Sequence, residues 1–206
     1  GAAGGIGAAT ARVCCELGAE VLLSDLSDCA PLIGELQAAG HRATAKEIDL
    51  AAPDAADRLL AWSGDVDGLV VASGLYRVVD WDTPDWDAQI DLSLGVNLKA
   101  PMHLARVFAP AMAARGHGRI VLTGSVAAHT GGTFPGVGPH YGVTKGAIHT
   151  LTRYLAARYT PQGVLVNGVA PGTIDTAMLS EIDVSAAVAR QPLRRAGRPE
   201  EVALPI

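Results

Sequence analysis

Apolar residues in this chain follow two alternating spacings. Glu20 to Ser24, Gly68 to Ala72, Arg119 to Thr123 and Val164 to Val169 are short, largely continuous apolar runs. Runs of that length, bounded by Gly, Asp or Ser, predict strands buried on both faces, as in a parallel sheet. Thr44 to Ile48 predicts a weaker strand. Between the runs, apolar positions fall three and four apart, which predicts helices over Ala8 to Leu17, Pro31 to Ala39, Ala55 to Trp62 and Ile90 to Arg115. A further helix opens at Tyr141 and runs through Ala147, Ile148, Leu151 and Leu155. Gly18, Gly40 and Gly116 stand where the first, second and fourth of these would stop. Tyr76 to Trp86 is mixed and predicts a surface loop and a helix start. Strand alternating with helix over the whole length is the pattern of an α/β fold.

Open parallel sheets bind ligands at the carboxyl ends of their strands, so the residues there are the candidates for chemistry. Gly1-Ala2-Ala3-Gly4-Gly5-Ile6-Gly7 leads into the first helix. Glycines pressed against a helix start can hold a pyrophosphate, because side chains are absent and free N–H groups point outward. Asp25 ends the next strand, 18 residues after Gly7. An acid there suits an adenosine ribose and repels a 2′-phosphate, which favours NAD over NADP; it also suits a simple turn, since Ser27 and Asp28 follow. Asp49-Leu50 follows the weaker strand, and the third apolar run ends in Ala72-Ser73-Gly74. Ser125 tips the fourth, and Ala170-Pro171-Gly172-Thr173-Ile174-Asp175-Thr176 follows the fifth. Asn97 lies among Val96, Leu98 and Met102; if buried it needs partners, either backbone groups at a kink or an ordered water. Ala177 to Gln191 is either a mobile lid or an ordinary helical connection.

Tyr141-Gly142-Val143-Thr144-Lys145 puts a phenol and an amine four residues apart on one helix face. A cation about 5 Å from the phenol, at an effective dielectric of about 20, favours the phenolate by roughly 3 kcal/mol. That is about two pKa units, enough to turn a tyrosine into a usable base near neutrality.

Composition narrows the partners. The chain has 206 residues, a mean hydropathy of +0.25 and a formal charge of -5, with its arginines scattered. It therefore carries no basic footprint for nucleic acid or an anionic membrane, and a small-molecule partner is expected. No apolar run reaches the roughly 18 residues of a membrane span. Cys14, Cys15 and Cys29 form an odd set without C-x-x-C spacing, which suits reduced thiols and a cytoplasmic location. The six histidines show no metal-ligand spacing, so no metal is expected and they read as ordinary surface or core residues.

Taken in order, Gly1 to Gly7, Asp25, Asp49, Asn97, Ser125, Tyr141, Lys145 and Pro171-Gly172 with Thr176 resemble the short-chain dehydrogenase/reductase family over essentially the whole chain. The resemblance implies a Rossmann-like doubly wound, mostly parallel sheet with helices on both faces, residues 1–206 forming one NAD(P)-binding domain. It implies hydride transfer between a nicotinamide cofactor and a secondary alcohol or ketone. Tyr141 would be the acid/base, Lys145 would hold the nicotinamide ribose and lower the tyrosine pKa, Ser125 would orient the substrate oxygen, and Asn97 would secure a proton-relay water. Gly1, Gly5 and Gly7 would meet the pyrophosphate, with Ile6, Gly74, Pro171 and Gly172 also in the cofactor site. Asp25 would meet the ribose, Asp49 and Leu50 the adenine, and Ile174 and Thr176 the carboxamide. A homodimer or homotetramer is implied as well, through the helices from Ile90 and Tyr141.

Three departures qualify the match. Val71-Ala72-Ser73-Gly74 stands where the family has Asn-Asn-Ala-Gly, so amide side chains along the cofactor wall are replaced. Ser125 precedes Tyr141 by 16 residues, a longer separation than the family's, which implies a reshaped substrate entrance through Gly131 to Gly138. The family's first and last strands have no counterpart, so the chain is expected to be incomplete at both ends and the strands flanking the first to have unpaired edges. An enzyme resembling a 3-oxoacyl-carrier-protein reductase is the alternative within the class. A non-catalytic dinucleotide sensor or scaffold is the alternative outside it.

Overall fold

Strand and helix alternate through the computed structural model, which describes residues 1–77, 79–132, 139–180 and 183–206. The strands are β1 (Val21–Asp25), β2 (Ala43–Glu47), β3 (Gly68–Val71), β4 (Gly118–Thr123) and β5 (Val164–Val169). All pairings are parallel: β1 with β2, and β4 between β3 and β5. The helices are α1 (Gly5–Glu16), α2 (Ala30–Ala38), α3 (Ala55–Ser63), α4 (Trp86–Leu94), α5 (Ala100–Ala114), α6 (Ala127–Thr130), α7 (His140–Tyr159), α8 (Ser185–Arg190) and α9 (Pro199–Ala203). The fold is the Rossmann-like α/β arrangement expected.

Two apolar clusters hold it together. Ile120, Leu122 and Val164 from β4 and β5 pack with Phe108, Ala109 and Met112 of α5 and Ile148 and Leu155 of α7. Ala11 and Cys15 of α1, Leu23 of β1, Leu32 and Leu36 of α2 and Ala43 of β2 make the second. Each fully buried large aliphatic contributes about 1.5–3 kcal/mol, which is why the continuously apolar β4 is the centre of its sheet. Among the described residues β1 and β3 share no ladder, in keeping with the expected unpaired edges. Residue 1 lies between their carboxyl ends: its nitrogen donates to the Ser24 carbonyl at 2.8 Å, and a Cβ on Gly1 would strike the Ser73 amide nitrogen.

The expected helix from Ile90 to Arg115 is broken. Between α4 and α5, Gly95 to Lys99 widen into a π-type turn. Pro101, in the first turn of α5, has no N–H to give the carbonyl of Asn97, so the regular i to i−4 ladder cannot pass through this point. The third strand stops at Val71 and leaves residues 72–74 irregular. Helix α6 was not expected. Ala177 to Gln191 contains a 3₁₀ turn (Ala177–Leu179) and α8, with residues 181 and 182 outside the described residues. The reshaped entrance expected through Gly131 to Gly138 falls on residues 133–138, which are also outside them.

Candidate active site

The carboxyl ends of β3, β4 and β5 open into one cleft floored by α7, about 680 Å³ when the space at its open mouth is included. Ile6, Gly74, Ser125, Tyr141, Lys145, Pro171, Gly172, Ile174 and Thr176 all line it. Residues spread over more than 160 positions of sequence thus meet, because parallel crossovers return every strand tip to the same edge.

Tyr141 and Lys145 project from the first two turns of α7. The Lys145 ammonium is 3 % exposed and lies 5.9 Å from the centre of the Tyr141 ring. It donates to the Thr123 carbonyl at 2.8 Å. Burial pushes its pKa down to about 8. Burial also raises the Tyr141 phenol above its ordinary value, with the Ser125 hydroxyl pulling it partly back. Removing water from the phenolate outweighs the Ser125 hydrogen bond, so the net direction for the phenol in the ligand-free protein is upward.

Ser125 is held on both sides. Its Oγ accepts the Ala127 N–H at 3.1 Å, which leaves its own O–H free to donate, and its backbone N–H points to Nε2 of His149 at 3.4 Å. Asn97 is fully buried and grips the loop after β3. Its Oδ1 accepts the Leu75 N–H at 2.7 Å, and its Nδ2 donates to the Leu75 carbonyl at 2.9 Å and to Oγ1 of Thr144 at 3.3 Å. Its partners are thus the backbone of Leu75, on the loop after β3, and the Thr144 hydroxyl. The Tyr76 ring stands edge-on to Tyr141 with centroids 4.8 Å apart, and burial, then Tyr141, push the Tyr76 phenol up to about 12.

The glycine loop packs too closely to admit side chains. A Cβ on Gly7 would strike the carbonyl of Gly1, and one on Gly5 would come within 2.5 Å of the Thr176 side chain. A Cβ on Gly74 would sit 3.2 Å from the Lys145 ammonium. Asp25 closes the loop: its carboxylate accepts the N–H groups of Ala3 and Ser27, each at 2.9 Å. Partial burial pulls the Asp25 carboxyl upward, and those amides pull it down. Asp49 accepts the Ala51 N–H at 2.9 Å and Leu50 packs against the larger core; neither lines the cleft. The N-terminus of α1, together with the buried Ser73 Oγ and Thr123 Oγ1 that find no partner among the described residues, fits an extended polar ligand such as a dinucleotide.

Several residues in the cleft or supporting it escaped the sequence reading. Thr123, Thr144 and His149 hold Lys145, Asn97 and Ser125, while Tyr76, Val126, Met178 and Leu179 wall the outer half. Thr144 and His149 were accessible, since each lies three or four residues from a named site residue on α7. Among the described residues no three His, Cys, Asp or Glu side chains converge on a metal site, and no helix is long and apolar enough to cross a membrane.

Residues 1–205 match the family model described as Enoyl-(Acyl carrier protein) reductase. The chain is 36% identical over 215 residues to a cis-4-hydroxycyclohexanecarboxylate dehydrogenase of Sinomonas cyclohexanicum, covering 98% of this chain and 84% of that one. A solved 3-oxoacyl-[acyl-carrier protein] reductase with bound NAD from Brucella melitensis superposes with a TM-score of 0.86 at 32% identity, over 98% of this chain and 79% of the other. A gluconate 5-dehydrogenase from Burkholderia cenocepacia, in complex with NADP and tartrate, does so with a TM-score of 0.86 at 30% identity, over 100% and 83%.

Proposed function

The chain belongs to the short-chain dehydrogenase/reductase family, and on that premise we propose how its residues carry out NAD(P)-dependent oxidation of a secondary alcohol or reduction of a ketone. The observation that carries the reading is Tyr141, Ser125 and Lys145 converging in one cleft beside the glycine loop. When bound, the dinucleotide supplies the hydride acceptor or donor. Tyr141 exchanges a proton with the substrate oxygen. Ser125 donates its free O–H to the same oxygen, so negative charge developing there meets two hydroxyls. Lys145 has two N–H groups beyond the one spent on Thr123, available to a ribose hydroxyl, and its charge offsets the phenolate as the proton leaves. Asn97 acts by holding Leu75, and through it the wall that carries Tyr76.

Gly1, Gly5, Ile6 and Gly7 would take the pyrophosphate, Asp25 the adenosine ribose, Asp49 and Leu50 the adenine edge, and Gly74, Pro171, Gly172, Ile174 and Thr176 the nicotinamide end. Asp25 carries the preference for NAD over NADP, since no arginine or lysine occupies the glycine loop to receive a 2′-phosphate. Residues 1–206 act as one domain. Val143 and Tyr154 on α7, with Leu92 on α4 and Met102 on α5, are exposed apolar side chains suited to contacts between copies in a dimer or tetramer. Free Cys14, Cys15 and Cys29 suit the cytoplasm.

The test follows reduced-nicotinamide absorbance with the full-length protein, NAD and NADP side by side, over a panel of secondary alcohols and ketones. Turnover with NAD is expected, and Tyr141→Phe lowers kcat by about 10²-fold or more while dinucleotide binding persists. Wild-type turnover in that variant would overturn the assignment. A preference for NADPH and acyl-carrier thioesters would favour the 3-oxoacyl reductase reading instead. A dinucleotide sensor has no use for the buried hydroxyl pair.

A further inference from the structure

His149 stands four residues beyond Lys145 on α7, between the tip of β4 and helix α6. Its Nε2 faces the Ser125 backbone N–H at 3.4 Å, and its ring lies so close beneath residue 124 that a Cβ there would strike Nε2. Gly124 is fixed from the other side by its own N–H, which donates to the Val169 carbonyl at 2.8 Å. An acceptor at Nε2 requires an unprotonated Nε2, so the proton of the neutral ring sits on Nδ1.

We propose that His149 is a positioning residue for the reaction read above: by accepting the Ser125 N–H it fixes the turn at residues 124–127 that aims the Ser125 hydroxyl at Tyr141. The turn is held by the Gly124 N–H on the Val169 carbonyl, the Val126 N–H on the Pro171 carbonyl, the Ser125 Oγ on the Ala127 amide and the His149 acceptor on the Ser125 amide; of these, His149 alone brings a side chain from another element. Loss of it leaves the Ser125 amide, between the two backbone anchors, without its acceptor. Protonation of His149 has the same consequence, because imidazolium has no acceptor and would set an N–H against the Ser125 N–H.

The charged groups around this imidazole are His129 of α6, whose ring centroid is 4.9 Å away, and Arg153 and Lys145 on α7. The adjoining ends of β4 and β5 bring no ionisable side chain; Arg119 lies at the other end of β4. Burial, with His129, Arg153 and Lys145 after it, holds the His149 pKa below the ordinary histidine value. The neutral acceptor therefore persists at neutral pH, and the restraint is lost only as pH falls below about 6.5.

The experiment compares His149→Leu, which cannot accept, with His149→Gln, whose Oε1 can. In the full-length enzyme His149→Leu is expected to lower kcat about five-fold at pH 7.5 with the KM for dinucleotide unchanged, the scale of one modest hydrogen bond. His149→Gln should recover most of kcat and lose the fall in kcat that the wild type shows below about pH 6.5. In parallel, the ¹⁵N-labelled full-length protein is titrated by NMR, and the Ser125 amide resonance should follow the His149 ionisation in the wild type and stay flat in His149→Gln. A Ser125 amide that ignores the His149 titration overturns the proposal, as do Leu and Gln variants that both keep wild-type kcat and its acid limb. Absence of any dinucleotide-dependent turnover would instead refute the proposed reaction, and the amide titration would still decide the role of His149.

Discussion

Asn97→Ala tests whether the loop after β3 depends on one buried amide. The side chain is 0% exposed and makes both halves of a reciprocal pair with Leu75, at 2.7 and 2.9 Å, besides the 3.3 Å contact to Thr144. Truncation leaves the N–H and carbonyl of half-buried Leu75 without their side-chain partner. An orphaned buried peptide group costs about 1–3 kcal/mol and partial access of water puts these two at the low end, so with the small cavity added a loss of about 2–4 kcal/mol is predicted. For a domain of this size that is a fall in Tm of about 10 °C. Asn97→Asp sharpens the argument because it keeps the shape and one acceptor but turns the donor into an oxygen facing the Leu75 carbonyl. It should destabilise at least as much as alanine. Urea unfolding of the full-length protein at pH 7, without dinucleotide, measures both. A loss under about 1 kcal/mol for alanine, or an aspartate as stable as asparagine, would refute the reasoning. The same variants should lose turnover, since Leu75 sets the position of Tyr76 against Tyr141.

Two further outcomes follow from buried ionisable groups. Lys145→Met should abolish turnover yet stabilise the dinucleotide-free protein by about 1 kcal/mol at pH 7, because a buried ammonium with one carbonyl partner is replaced by an apolar chain of similar length. The folded lysine titrates at about 8, below its unfolded value, so the cost of its charge is full below pH 8 and fades above it. The stabilisation should shrink as pH rises through 8, and urea midpoints at pH 7 and 9.5 check this. His140 is 3 % exposed against Trp86, and neither ring nitrogen has a partner among the described residues. His140→Phe should therefore leave stability at pH 7.5 unchanged or raise it by about 1 kcal/mol. Burial holds the His140 pKa low, so the unfolded chain binds the extra proton below about 6.5 and the wild type loses stability there. The phenylalanine variant should lose less between pH 7.5 and 5.5, which the same unfolding assay reports.

What could be read from the sequence was decided by how far each feature depends on distant chain. Strands such as β4 were legible because burial on both faces writes itself as a continuous apolar run, and the meeting of Tyr141 with Lys145 followed from helical spacing alone. The π-type turn was hidden by the apolar rhythm that continues through it, although Pro101, four residues after Asn97, marked the place where the ladder had to fail. The partner of Asn97 was not legible, because Leu75 lies 22 residues away across a strand tip whose path no local pattern specifies. His149 was set aside for a similar reason: its spacing from Lys145 is local, but its meaning comes from Ser125, 24 residues earlier on another element. Helical spacing gives the Coulomb attraction between the phenol and the ammonium but not the water each loses on burial, which raises the Tyr141 pKa and lowers that of Lys145. With its pKa above the ordinary value, Tyr141 keeps its proton at neutral pH in the ligand-free protein, which suits the acid half of the proposed proton exchange.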